Sequence, residues 1–374
     1  MYDQDTYDEF RASVRRFAEE KVAPFAARVD EEARPPTEAV TASLAIGLPG
    51  LPFPERFGGQ DADLFFQIIA SEELSRVCAS TSICTSTNWL MMLIVNHGNE
   101  EQRQAIIPQI VKGEVQCAWA LTEPRGGSDL MGATTKAVRS ANGWTITGTK
   151  RFITNGGWAD WYVVFARTSE KGFSLFLVNK TDPGVSFGAQ ERKMGLRGSP
   201  TCDVIMDGVA LPAERLLGTA DSAGTYITDA LLESRLTIGA HALGIAQGAF
   251  EEAVRYAQTR QQFGQPIARH QLVRGMIATM AATLESARAV LYRAVQLQMC
   301  GHPDAKLLAS IAKVQCSNAA VSVSTEAVQV HGGYGYLKDY PVERMMRDSK
   351  VTQIWEGTNQ IQQLMISKEV YAKY

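Results

Sequence analysis

The chain has 374 residues, enough for two or three packed layers around a sizeable core. Apolar content of 45% and charged content of 21% mark an ordinary globular protein, and a net charge of −3 gives no basic excess for nucleic acid or an anionic membrane. No apolar run is long enough to span a bilayer, since TSICTSTNWLMMLIVN (81–96) is broken by Thr, Ser and Asn.

From the start to about residue 116 the apolar period is helical. The acidic, polar opening MYDQDTYDEF reads as neither a signal nor a transit peptide. Tyr7, Phe10, Val14 and Phe17 fall on one helix face, and Pro24 is expected to interrupt soon after. LPGLPFPERFGG (48–59) reads as a Pro/Gly loop between helices. From about 117 to 218 the period drops to two. GWTITGTKRFIT (143–154) follows a hairpin signal at Asn142–Gly143. With WYVVFAR (161–167), FSLFLVN (173–179) and CDVIMDG (202–208) it predicts a small antiparallel sandwich or barrel.

After about 223 the helical period returns. Gly239, Gly244 and Gly248, among many alanines, predict a closely packed helix. Leu272, Met276, Met280, Leu284, Leu291 and Val295 mark an apolar stripe on the next. A third, small-residue helix runs from about 304 to the Gly332–Gly333 stop, and the last begins near Thr358, a plausible N-cap. The expected fold is α+β: helical residues 1–116, an antiparallel β domain over 117–222, and a four-helix bundle over 223–374.

Six cysteines form no CxxC pair, which favours unpaired thiols in a reducing cytoplasm. Five histidines fit no HExxH pattern, so no metal site is expected. Taken singly, the polar motifs are ambiguous. LTEPRGGSD (121–129) and FITNGG (152–157) suit either strand-end turns or a close backbone approach to a ligand. RQQFG (260–264) is either a solvated loop or a guanidinium with two amides for a diphosphate. QVHGGYG (329–335) follows a helix, so it is not a dinucleotide fingerprint, and no GK[ST] makes it a P-loop. In YPVERMMRD (340–348), Glu343 and Arg347 read as a helix-face ion pair. Glu356, in QIWEGTNQIQ (353–362), is either an acid ahead of a helix N-terminus or a general base in an apolar pocket beside Trp355.

In this order and spacing, with KMGLRGSPTCDV (193–204), these segments resemble the acyl-CoA dehydrogenase family over essentially the whole chain, and its short- and medium-chain branch in particular. The resemblance implies FAD and a homotetramer built as a dimer of dimers. Leu121, Thr122, Gly127, Ser128, Phe152 and Thr154 would lie along the isoalloxazine. Arg260, Gln262 and Phe263 of a neighbouring subunit, with His270 and Gln271, would hold the diphosphate and adenosine side. Gln329, Gly333, Thr358 and Gln360 would contact the same cofactor. Ser128 and Arg235 match positions along the pantetheine route, and Gly357 leaves room for the thioester.

Glu356 matches the family's base, which removes the α-proton while the β-hydrogen leaves as hydride to flavin N5. Some relatives carry the base where Ser234 stands here, and Glu233, one residue off, would point elsewhere. Phe152 replaces the family's usual Trp, and bulky Trp89–Met92 would floor a short acyl pocket. The resemblance implies electron-transferring flavoprotein as acceptor. Alternatives are an acyl-carrier-protein thioester as substrate, a flavin oxidase or N-hydroxylase on the same fold, and a helical binding protein without catalysis.

Overall fold

The computed structural model describes residues 4–373. Seven helices come first: α1 (Gln4–Phe17), α2 (Ala23–Glu32), α3 (Thr37–Ser43), α4 (Leu64–Val77), α5 (Ala79–Trp89), α6 (Met92–His97) and α7 (Glu100–Val111). Tyr7, Val14 and Phe17 bury the predicted face of α1, with Phe10 packed at its edge. Pro24 does not stop the helix. A π-helical turn, Ala18–Val22, joins α1 to α2 just ahead of Pro24, so the irregular turn falls where the proline lacks its N–H.

Eight strands follow: β1 (Cys117–Ala120), β2 (Lys136–Ser140), β3 (Gly143–Thr154), β4 (Trp161–Arg167), β5 (Phe173–Asn179), β6 (Val185–Phe187), β7 (Thr201–Pro212) and β8 (Leu216–Leu217). They form one sheet in the order β6-β7-β3-β2-β4-β5-β8, with β1 joined to β4. The antiparallel expectation needs one correction. β1 runs parallel to β4, and β2 meets β4 through a single parallel pair, Lys136 with Arg167. The sheet folds over at that thin junction, so Trp144 and Ile146 of β3 share a core with Tyr162, Val164 and Phe176. The hairpin turn is Ala141–Asn142, and Gly143 already pairs with Ser140.

The C-terminal helices are α8 (Ala223–Thr259), α9 (Gln271–Met299), α10 (Ala305–His331), α11 (Val342–Lys350) and α12 (Asn359–Tyr371). A two-residue ribbon, β9 (Gln261–Gln262) with β10 (Gln265–Pro266), links α8 to α9. The expected four-helix bundle is three long helices with the shorter α12 against α10, and α4 packs along the remaining side of α8. A Cβ at Gly244 or Gly248 would run into the Glu72 and Arg76 carbonyls of α4, so glycine lets the two backbones touch. Met280, Leu284, Leu291 and Val295 bury the α9 stripe, but its first member, Leu272, is 84% exposed.

Thr358 caps α12 by accepting from the Ile361 N–H at 3.2 Å. Glu343 and Arg347 form more than a surface pair. Arg347 grips Glu343 through two bonds of 2.7 and 2.8 Å and reaches Asp30 at 2.7 Å, which ties α11 to α2. Among the described residues no helix is long and apolar enough to cross a membrane, and no group of three or more His, Cys, Asp or Glu could hold a metal.

Candidate active site

Glu356 lies in the short turn between α11 and α12. Glu356 and Gly357 both have left-handed backbone, with φ of 51° and 86°. A side chain rarely takes that conformation, so the surroundings must hold it. The Glu356 carbonyl accepts from Gln362 Nε2 at 3.1 Å, and the Gly357 carbonyl accepts from Lys313 Nζ at 2.9 Å. The carboxylate, half-buried, accepts a 2.5 Å bond from Ser234 Oγ on α8. The Glu356 N–H has no protein acceptor among the described residues. Beside it, Trp355 meets the His241 ring edge-on at 5.3 Å. Burial pushes His241 down to about 3, so its imidazole is neutral, and its Nδ1 lies 2.9 Å from Ser75 Oγ.

Burial raises the Glu356 carboxyl, opposed by the Ser234 hydrogen bond and by the charges of Arg235 and Lys313. An acid raised by burial is a better proton acceptor near neutral pH, provided it is still ionised. Ser234 stabilises the ionised form. Ser234→Ala is therefore expected to raise the acid further, so the rising limb of activity against pH moves to higher pH. A hydrogen bond to a charged group contributes about 1.5 kcal/mol, which corresponds to about one pH unit. A pH profile of flavin reduction by substrate checks this, and an unmoved limb contradicts it.

Leu121 and Thr122 continue β1 alongside β3, where the Thr122 carbonyl accepts from the Arg151 N–H at 2.8 Å. Gly127 lies against the Thr122 side chain, and Gly127 and Ser128 are exposed. Phe152 occupies a bulge in β3, with φ of 57°, and its ring is 57% exposed under the Arg151 guanidinium. Thr154, half-buried, is the last residue of the same strand. The structure thus gathers Leu121, Thr122, Gly127, Phe152 and Thr154 around one sheet end. Trp158, just beyond it, and Trp355 pack against one small core with Ile238, which brings the Glu356 turn to this side of the sheet.

Arg260, Gln262 and Gly333 line a second cleft of about 520 Å³ with Tyr256, His331 and Tyr334. The Arg260 guanidinium lies over the Tyr334 ring at 5.1 Å. His270 supports the rim through a 3.2 Å contact from Nε2 to the Gln262 carbonyl, and Phe263 stands 93% exposed. Gln271 and Gln329 are exposed on α9 and α10 and do not line this cleft. Gln360 is exposed in the first turn of α12. No hydrogen bond or ring contact joins the cleft to the sheet end among the described residues. Arg235 is buried rather than open to solvent. Its Nε has no partner, and burial lowers its pKa despite the nearby Glu356.

A cavity of about 200 Å³ contains Ser234 in its wall, with Trp89, Leu90, Met92 and Trp119. Met91 turns away into the core. Glu233 does line this cavity, contrary to the expectation that it points elsewhere, but it is exposed and makes no contact with Glu356.

Family models described as the acyl-CoA dehydrogenase N-terminal, middle and C-terminal domains match residues 4–114, 118–209 and 223–371. The chain belongs to the acyl-CoA dehydrogenase family. It is 42% identical over 367 residues to the short-chain-specific acyl-CoA dehydrogenase of Clostridium acetobutylicum, covering 96% of this chain and 97% of that one. The butyryl-CoA dehydrogenase of Megasphaera elsdenii superposes with a TM-score of 0.94 at 36% identity, covering 99% of both chains. The prolyl acyl carrier protein oxidase AnaB superposes with a TM-score of 0.93 at 28% identity, covering 99% of this chain and 100% of that one. The reaction of this acyl-CoA dehydrogenase is the dehydrogenation of acyl-CoA, and its cofactor is FAD.

The residues present fit that cofactor. Thr122 and Thr154 have hydroxyls with no protein partner among the described residues, at a sheet end open enough to leave Phe152 exposed. The Arg260 guanidinium makes no ion pair among the described residues. Thr358 differs, since its hydroxyl already caps α12.

Several groups that build the site have no motif of their own. Lys313 is the lone cation in the small-residue stretch LLASIAKVQCSNAA, which was the available signal. Ser234 stood out only as the occupant of another residue's place. Glu123 and Lys150 form a buried ion pair of 2.8 Å beneath the Thr122 turn, and only the strand pairing brings them together.

Proposed function

We propose that this enzyme desaturates a short-chain acyl-CoA between Cα and Cβ, with Glu356 as the base. The observation that carries this is the Glu356 turn. Its carboxyl is raised by burial, with the Ser234 hydrogen bond opposing the rise, and its N–H has no protein acceptor among the described residues. That N–H suits the thioester carbonyl, where a single oxyanion donor contributes about 3 kcal/mol. With the carbonyl polarised, Glu356 takes the α-proton and the pair of electrons left at Cα forms the new C=C. FAD, when bound, accepts the β-hydrogen with its electron pair as a hydride. Arg235, buried within reach of the Glu356 charge, favours the ionised base before the transfer.

Thr122, Ser128, Phe152 and Thr154 would hold the flavin ring end, and Arg260, Gln262 and Gly333 the diphosphate of a cofactor bound mainly to a neighbouring subunit. The separation of these two sets within one chain supports that division, and so do Phe263, next to Gln262, at 93% exposure and Leu272, in the first turn of α9, at 84%. We infer a homotetramer on this ground, electron-transferring flavoprotein as acceptor from the family resemblance, and a cytoplasmic location from six cysteines without a disulfide. The small cavity walled by Trp89, Leu90 and Met92 supports short acyl chains.

An anaerobic titration with acyl-CoAs of rising length tests the reading. Butyryl-CoA or a similarly short ester should bleach the flavin band fastest, and chains of ten or more carbons slowly or not at all. If no CoA ester bleaches it, the substrate assignment is wrong. A carrier-protein thioester is then the next candidate, favoured by the likeness to AnaB.

A further inference from the structure

The Glu356 turn is suspended between two parts of the helical domain. Ser234 on α8 catches the carboxylate, while α10 and α12 catch the two backbone carbonyls. On the α10 side the anchor is Lys313, whose residue has no solvent exposure. Its Nζ donates to the Gly357 carbonyl and to Asn359 Oδ1, each at 2.9 Å. Asn359 is itself fixed from α10, because its Nδ2 donates to Ser317 Oγ at 3.0 Å and to Asn318 Oδ1 at 3.1 Å.

A buried ammonium is costly unless its donors are satisfied. No carboxylate lies within ion-pair distance of Lys313 among the described residues, so two neutral oxygens hold it. A methionine would fill the same space at lower cost. What the lysine adds is a directed donor to the carbonyl immediately after the base, in a turn whose two left-handed residues need outside support.

We propose that Lys313 is a positioning residue for the base: its bond to the Gly357 carbonyl fixes the Glu356 turn and so places the carboxylate for the α-proton. This rests on the reading of Glu356 as the base. The clamp acts through backbone. It sets the direction in which Glu356 leaves the turn, and Ser234 then fixes the carboxylate end. The charged groups that reach Lys313 are Glu356 and Arg235. Burial pushes Lys313 down to about 8, with Glu356 opposing and Arg235 adding to the fall. The lysine is therefore cationic where Glu356 must be ionised, and its charge favours the carboxylate.

The test is stopped-flow reduction of the FAD-loaded enzyme by butyryl-CoA across pH, with Lys313→Met, Asn359→Ala and Glu356→Gln alongside the parent. Lys313→Met should keep its flavin and lose reduction rate at saturating substrate by about 100-fold, the scale of a misplaced reacting group. The acid limb should also move to higher pH, which a merely structural tie would not cause. Asn359→Ala, which removes the lysine's other partner, should show a smaller loss in the same direction. Parent-like rate and acid limb in Lys313→Met overturn the proposal, even if its thermal midpoint falls. If Lys313→Met does not fold, Asn359→Ala decides, and an unchanged rate and limb there overturn it. If Glu356→Gln reduces at the parent rate, the base reading itself fails, which separates the two failures.

Discussion

Glu356→Gln is expected to remain yellow, bind acyl-CoA and fail to bleach. The amide keeps the size of the side chain and can still meet Ser234, but it cannot take a proton. Loss of a general base lowers rate by about 10²–10⁴-fold, and here the base acts on a weakly acidic C–H, which points to the upper end. Flavin content should stay at the parent level, because most of the groups expected to hold FAD lie on the 121–128 turn, β3, the α8–α9 ribbon and the end of α10, away from the Glu356 turn. Rapid-mixing reduction under nitrogen measures the rate, and the absorbance spectrum measures the flavin. Glu233 and Asp229 also line the cavity, and both are exposed with no hydrogen bond to Ser234 among the described residues. A Glu356→Gln enzyme that reduces at the parent rate would move the base elsewhere, with Glu233→Gln as the next variant.

Lys150→Met should unfold far more easily than the parent. Lys150 and Glu123 have side-chain exposures of 0% and 3%, and they pair at 2.8 Å. Glu123 also accepts from the Thr134 N–H at 2.6 Å, Thr134 Oγ1 at 2.7 Å and the Thr135 N–H at 2.9 Å. Removing the lysine leaves a buried carboxylate with neutral donors alone, which costs about 3–5 kcal/mol. It also frees the Leu121 carbonyl, which Lys150 Nζ holds at 3.2 Å, so flavin retention should weaken with stability.

The pH dependence carries a sign. Although burial works the other way, Lys150 and the Thr134 and Thr135 donors together hold the Glu123 carboxyl down at about 2. A depressed carboxyl stabilises the fold above its unfolded pKa of about 4.3 and loses that contribution as pH falls toward about 2. The parent should therefore weaken through this window, and Lys150→Met should weaken less steeply. Urea unfolding at fixed protein concentration, at pH 7 and pH 3, measures both effects. Pairing Lys150→Met with Glu123→Gln should recover much of the loss, because the unpaired charge is gone. A single variant as stable as its parent would show that the pair contributes little.

Local chemistry in the sequence went a long way. The two changes of period place helices and strands, because burial on one face writes a period of 3.6 or 2 into any chain that folds. Thr358 reads as an N-cap because a hydroxyl before a helix satisfies an otherwise unpaired N–H, and Gly332–Gly333 reads as a helix stop. Glu356, between Trp355 and Gly357, reads as an unusual acid, and the order of motifs carries the family.

What pattern could not supply was the third dimension of the polar groups. Ser234 and Glu356 are 122 residues apart and Lys313 and Gly357 are 44 apart, so only helix packing brings them within hydrogen-bond reach. Leu272 completes an apolar stripe by spacing yet faces outward, because periodicity marks a face without saying what covers it. The parallel β1–β4 pairing was likewise hidden, since a strand's side-chain period is two in either direction. Nor could the sequence settle how far Glu356 is buried. Burial depends on which helices close around the turn, and so the proton affinity of Glu356 is set by the tertiary structure.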